Sequence, residues 1–170
     1  MNEPLILVVE DDPVQRQLIR KNLEASGYSV IEAASRLEAR EAVVARPVDI
    51  AVVDYRLGEE TGVDAIRDML TANPLVTPIM VTAYGNIERA VEAVRAGAYD
   101  YIVKPLDFEK FLLILERAAE RQKLKKEIAL LQDRLEEKFS ARNFVFASGA
   151  MEQVVRLILK AARSEATVLI

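Results

Sequence analysis

The chain has 170 residues, 51% of them hydrophobic, with 23 basic against 27 acidic side chains and a net charge of −4. That suits one domain of ordinary size plus an appendage, and the acidic balance argues against a broad nucleic-acid surface. There is no cysteine and no histidine, which excludes disulfides, thiolate and imidazole metal sites, cysteine or serine–histidine nucleophiles and phosphohistidine, so any chemistry falls to Asp and Glu.

Apolar runs reach about five or six residues, far short of the roughly 20 that cross a bilayer, and Met1 is followed by no basic and apolar leader. A cytoplasmic protein is expected. In chain order, "LILVV" (5–9) predicts a buried strand, followed by helical spacing at Val14, Leu18, Ile19 and Leu23 and a stop at Gly27. "YSVIEA" (28–33) predicts a second strand, then a helix through Leu37, Val43 and Val44. "DIAVV" (49–53) predicts a third, then a helix capped by Thr61 through Val63, Ile66 and Leu70. "PIMVT" (78–82) leads to a helix through Ile87, Val91 and Val94 that ends at Gly97, and "YDYIV" (99–103) closes the series. Strand and helix alternating five times predict a parallel sheet with helices on both faces, because a parallel connection needs a crossover. The expected fold is α/β, a flavodoxin-like doubly wound five-stranded parallel sheet over roughly 3–120.

Beyond residue 106 the pattern changes. "FEKFLLILERAAERQKLKKEIALLQDRLEEKF" (108–139) contains no Gly or Pro and predicts one long helix. Phe111, Leu112, Leu115 and Ala119 would cover the sheet, whereas Leu124, Ile128, Leu131 and Leu135 are spaced as a coiled-coil seam of about two heptads, which suits a homodimer. The bland alternative is a solvated helix with a narrow apolar stripe. After a break at 139–149, a helix over 151–164 and a strand start at 166–170 look like the first elements of a second domain. The expected division is a first, sheet-bearing domain over 1–120, a coiled-coil linker helix over 121–140 and an incomplete second domain over 141–170.

Glu10 and Asp11 at the end of the first strand and Asp54 at the end of the third should meet at the carboxyl edge of the sheet, where such folds bind ligands. Converging carboxylates raise one another's pKa unless a cation joins them, and Mg²⁺ prefers one or two protein carboxylates with waters and a phosphate oxygen. Thr82 and Lys104 end the fourth and fifth strands and add a hydroxyl and an ammonium to the same rim. Taken singly, a strand-end Asp is often a cap or turn former, Lys104 a surface lysine and Thr82 a strand former. Together they are the parts that hold a phosphoryl group on Asp54, since phosphoryl transfer is mainly positioning and charge neutralisation.

"VVEDD" (8–12), "VVDYRLGEETGVDAI" (52–66), "VTAYG" (81–85) and "DYIVKPLD" (100–107) resemble the receiver domain of two-component response regulators, in order and spacing over about 1–120. The resemblance implies that Asp54 is the phosphoacceptor for a sensor histidine kinase and that Glu10, Asp11, Asp54 and the backbone carbonyl of Arg56 hold Mg²⁺. Thr82 is then the switch hydroxyl, Tyr101 the switch aromatic, Lys104 the phosphate-binding lysine, and the Lys104–Pro105 bond cis. Glu10 stands where Asp is commoner, so its reach to the metal is either direct or through water. "FVFASGAMEQVVRLILKAARSEATVLI" (144–170) is similar to the opening of the AAA+ ATPase domain of NtrC-type activators, which work with the alternative sigma factor. Its "FASGAM" departs from that family's glycine-bearing pattern. The implied whole is a transcription regulator whose AAA+ domain, sigma factor, RNA polymerase and DNA partners lie beyond this chain, with no ATPase, nucleic-acid or membrane binding of the chain's own. Two rivals remain: a Mg²⁺-dependent phosphohydrolase with an Asp nucleophile, which would want a carboxylate where Arg56 stands, and a receiver-like fold kept only for protein contacts.

Overall fold

The structure is a computed structural model and describes residues 4–83, 85, 87–139, 151 and 154, with the backbone alone over 133–139. The elements run β1 (Leu5–Val9), α1 (Pro13–Ala25), β2 (Ser29–Ala33), α2 (Arg36–Ala45), β3 (Ile50–Asp54), β4 (Arg56–Leu57), β5 (Glu60–Thr61), α3 (Gly62–Ala72), β6 (Thr77–Thr82), α4 (Ile87–Arg95), β7 (Asp100–Val103) and α5 (Phe108–Phe139). Five strands form one sheet in the order β2-β1-β3-β6-β7, all parallel, and β4 and β5 form a small antiparallel hairpin. This is the expected doubly wound sheet. The hairpin was not foreseen, since two-residue strands carry no periodic signal.

Successive strand side chains face opposite sides, and the sheet therefore has two cores. Ile6, Val8, Ile50, Val52, Ile79 and Val81 pack with Ile19 and Leu23 of α1 and Phe111, Leu115 and Ala118 of α5. Leu7, Val9, Ala51, Val53 and Met80 pack with α2, α3 and α4 through Ala39, Val43, Val63, Ile66, Met69 and Ala93. The central strands β1, β3 and β6 are buried on both faces and read as nearly unbroken apolar runs, which is why they were legible.

The helical faces need correction. Val14, Leu18, Leu37 and Val44 are exposed, and Met69 takes the buried place while Leu70 only packs at the edge of the core. The largest departure is α4, where Ile87, Val91 and Val94 are 83%, 44% and 60% exposed and Ala93 alone is fully buried. The small side chain lets the helix lie close to the sheet, and the bulky stripe turns outward.

At the amino-terminal edge of the sheet α5 is held by polar groups. Thr77 Oγ1 donates to Gln122 Oε1 at 2.9 Å, Gln122 Nε2 donates to Asp49 Oδ1 at 3.5 Å, and Lys126 pairs with Asp49. Asp49 Oδ2 in turn accepts from the Leu5 amide at 3.0 Å. Arg121 lies over the Tyr99 ring at 5.0 Å. Leu124, Ile128 and Leu131 are each half or more exposed, and the Leu135 side chain lies outside the described residues. By compactness the chain divides into Met1–Lys126 and Glu127–Ile170. Met151 and Val154 are helical. The remainder of the helix expected over 151–164 and the strand expected over 166–170 lie outside the described residues. No helix among the described residues is long and apolar enough to cross a membrane.

Candidate functional site

The sheet ladder runs past the strand ends and sets the rim. Glu10 N donates to Ala33 O at 3.1 Å, Tyr55 N to Val81 O at 2.8 Å and Lys104 N to Thr82 O at 2.7 Å. Glu10, Asp54, Thr82 and Lys104 are thereby fixed in the same layer at the carboxyl edge. They open on a cavity of about 310 Å³ that Asp11, Gln15 and Arg56 also line. Asp12 is not part of the acidic set: it caps α1, accepting from the amides of Val14 at 2.8 Å and Gln15 at 3.3 Å. Those bonds hold its pKa below the ordinary carboxylate value.

Oxygens of Glu10, Asp11 and Asp54 lie within 4.8 Å of one another. Lys104 is the positive charge among them, its ammonium 2.8 Å from Glu10 Oε2, 2.6 Å from Asp54 Oδ1 and donating to Gln15 Oε1 at 2.6 Å. Burial pushes the Glu10 pKa up, with Asp54 adding to the rise and Lys104 opposing it. Burial pulls the Lys104 pKa down, but its contacts with Asp54 and Glu10 outweigh this and raise it.

Two main-chain amides aim the other carboxylates. Arg56 N donates to Asp54 Oδ2 at 2.9 Å, and Gly58 N, in the β4–β5 turn, donates to Asp11 Oδ2 at 3.0 Å. Asp54 Oδ1 is buried, with the Lys104 ammonium 2.6 Å away as its contact. Gly58 sits at φ 65°, where a side chain is unfavourable. Gly62 opens α3 against the acidic strand: its amide donates to Tyr55 O at 2.8 Å, and a Cβ here would lie 2.0 Å from the Asp54 carbonyl oxygen.

The donor set fits a hard divalent ion: three carboxylates from Glu10, Asp11 and Asp54 bring oxygen ligands within 4.8 Å of one another, against a single ammonium among them. The expected site residues Glu10, Asp11, Asp54, Arg56, Thr82 and Lys104 line one cavity. Tyr101 lies on β7 beside Met80, half-buried against the core that α4 covers, and the Lys104–Pro105 bond is cis, as expected. Three contributors escaped the sequence reading: Gln15 as a partner of Lys104, the Gly58 amide, and Tyr55. The Tyr55 hydroxyl donates to Glu92 Oε2 at 3.2 Å, and the Arg89 guanidinium lies 4.6 Å from the Tyr55 ring centroid, linking the residue after Asp54 to α4.

Comparison with known proteins places these features. The family described as response regulator receiver domain matches residues 6–116. The chain is 34% identical over 165 residues to the transcriptional regulatory protein ZraR of Klebsiella oxytoca, covering 97% of this chain and 36% of that protein. It is similar to NtrX from Brucella abortus, with 31% identity and a TM-score of 0.70 over 96% of this chain and 36% of that one. A response regulator from Burkholderia pseudomallei, solved with a phosphorylated aspartic acid, calcium ion and citrate, matches with 25% identity and a TM-score of 0.64, over 95% of this chain and 88% of that chain. This chain thus spans about 36% of the length of its curated relative.

Proposed function

Because the chain belongs to the response regulator receiver domain family, we propose that it is a phosphorylation-dependent switch in which Asp54 takes a phosphoryl group from a sensor histidine kinase. The observation that carries this reading is the convergence of the buried Asp54 carboxylate with Glu10, Asp11, Thr82 and Lys104 on one cavity, the Lys104 ammonium 2.6 Å from Asp54 Oδ1. An Asp54 carboxylate oxygen attacks phosphorus, the P–N bond of the donor phosphohistidine breaks, and its electron pair leaves with the imidazole. Lys104 neutralises one phosphoryl oxygen and the Thr82 hydroxyl donates to another. Glu10, Asp11, Asp54 and the Arg56 carbonyl are the residues that would hold Mg²⁺, which supplies charge neutralisation for the transferring phosphoryl oxygens.

Engagement of Thr82 by the phosphoryl group moves Tyr101 and with it the surface of α4, β7 and α5. The exposed apolar side chains Ile87, Val91, Val94 and Val103 on these elements support that surface as the output face, and Tyr55 gives the acceptor a second link to α4. The chain works as a homodimer, with a receiver over 1–120, a coiled-coil linker over 121–140 and the start of an AAA+ domain over 141–170. In the whole protein that domain acts with the alternative sigma factor, RNA polymerase and DNA; the similarity to ZraR over 97% of this chain supports this.

Incubation with acetyl phosphate and Mg²⁺ followed by intact mass measurement tests the function. The parent is expected to accumulate one phosphoryl group per chain. Consumption of acetyl phosphate without accumulation would indicate a hydrolase, and no reaction at all a receiver fold kept for contacts.

A further inference from the structure

The turn that carries Glu10 and Asp11 is held by a residue outside the cavity. Arg16 stands in the first turn of α1, where a helical side chain leans back over the residues preceding the helix. Its Nη1 donates to the main-chain carbonyl of Glu10 at 2.5 Å and to that of Asp11 at 3.3 Å. Its Nε lies 3.7 Å from Glu32 Oε1 on β2, and these two side chains are only 18% and 28% exposed. Glu32 is itself fixed by Arg20, whose Nη1 lies 2.6 Å from Oε2.

Fixing a carbonyl fixes its peptide plane and hence the direction in which the neighbouring side chains leave the backbone. The Asp11 carboxylate already has the Gly58 amide, but nothing in that bond sets the main chain between Glu10 and Asp12. Three carboxylates with oxygens inside 4.8 Å of one another repel, and rotation of an exposed turn is the easiest way for them to part. We propose that Arg16 is a positioning residue for the cation site: clamped by Glu32, its guanidinium locks the two turn carbonyls so that the carboxylates of Glu10 and Asp11 stay converged on Asp54. Arginine suits this role because its planar fork serves two carbonyls and a carboxylate at once, which a lysine ammonium cannot do.

This inference rests on the reading of the pocket as a divalent-cation site, and the test separates the two. Mg²⁺ affinity is measured by calorimetry for the parent, Arg16→Met, Arg16→Lys and Glu32→Gln, with the melting transition of each recorded in chelator. Arg16→Met keeps the apolar stem and removes the donors. It is expected to weaken Mg²⁺ binding about tenfold or more, the range for residues that orient metal ligands, with Arg16→Lys intermediate and Glu32→Gln weakened about threefold. Labelling by acetyl phosphate should need correspondingly more Mg²⁺ for half-maximal rate, while the maximal rate falls less than threefold. Should Arg16→Met fail to melt cooperatively, Glu32→Gln decides on the same two readouts. Affinity within twofold of the parent in the deciding variants, or a lost maximal rate at unchanged Mg²⁺ dependence, overturns the positioning role alone. A parent that binds no Mg²⁺ overturns the cation reading and this inference with it.

Discussion

Glu10, Asp11, Asp54, Thr82 and Lys104 were legible from the sequence because each follows an apolar strand, and a parallel sheet brings such ends together. What could not be read was the detail that aims them. Gln15 meets Lys104 from 89 positions away in the chain, and the Gly58 amide meets Asp11 from a turn in which Gly58 itself has positive φ. Gly62 is the sharpest case, because its need for a bare Cα comes from the Asp54 carbonyl, eight positions earlier in the chain. Gly62→Ala should destabilise the fold by about 1–3 kcal/mol, the usual range for overpacking, and slow labelling of Asp54 by displacing its strand end. Urea unfolding together with labelling rate checks this, and unchanged values of both would mean that the backbone yields freely. Mg²⁺ should raise the melting temperature of the parent by several degrees, since a ligand at a hundredfold excess over Kd adds about 2.7 kcal/mol. Asp11→Ala should abolish that rise; an undiminished shift would place the ion elsewhere.

Among elements, the five strands of the parallel sheet were read almost to the residue, and the helices were found but their faces were misjudged. Hydrophobic spacing locates a stripe without saying which way it turns, and in α4 an alanine face meets the sheet while Ile87, Val91 and Val94 point out. For α5 the apolar residues announced docking through Ala119 but gave no sign of the polar groups beyond. Asp49, Thr77 and Gln122 are buried together at the opposite edge of the sheet from the acidic pocket and, with Lys126, hold the helix about two turns further. Asp49→Ala should leave the Gln122 amide and the Leu5 N–H without their acceptor, at a cost of about 1–3 kcal/mol. Hydrogen exchange should then quicken at amides 119–126 more than in β3. Equal protection in parent and variant would show that apolar packing alone holds this stretch of the helix.

At the scale of the whole molecule, the stripe of Leu124, Ile128 and Leu131 is exposed and gives a reason for self-association. Burying such side chains, with Leu135, is worth roughly 1.5–3 kcal/mol each, against the entropy cost of association, so a dimer of modest affinity is expected. Light scattering should find the parent dimeric and a Leu124→Asp/Leu131→Asp variant monomeric; a monomeric parent, or a variant as dimeric as the parent, defeats the coiled coil. The central claim, however, is chemical: the cation site, the lysine, the switch residues and the positioning arginine all serve one acceptor. Peptide mapping by mass spectrometry after incubation with acetyl phosphate and Mg²⁺ tests it most directly. The account predicts one phosphoryl group, on the peptide carrying Asp54, and none on that peptide in Asp54→Asn; a phosphoryl group found instead at Asp11 or Asp12, or labelling undiminished in Asp54→Asn, would contradict it.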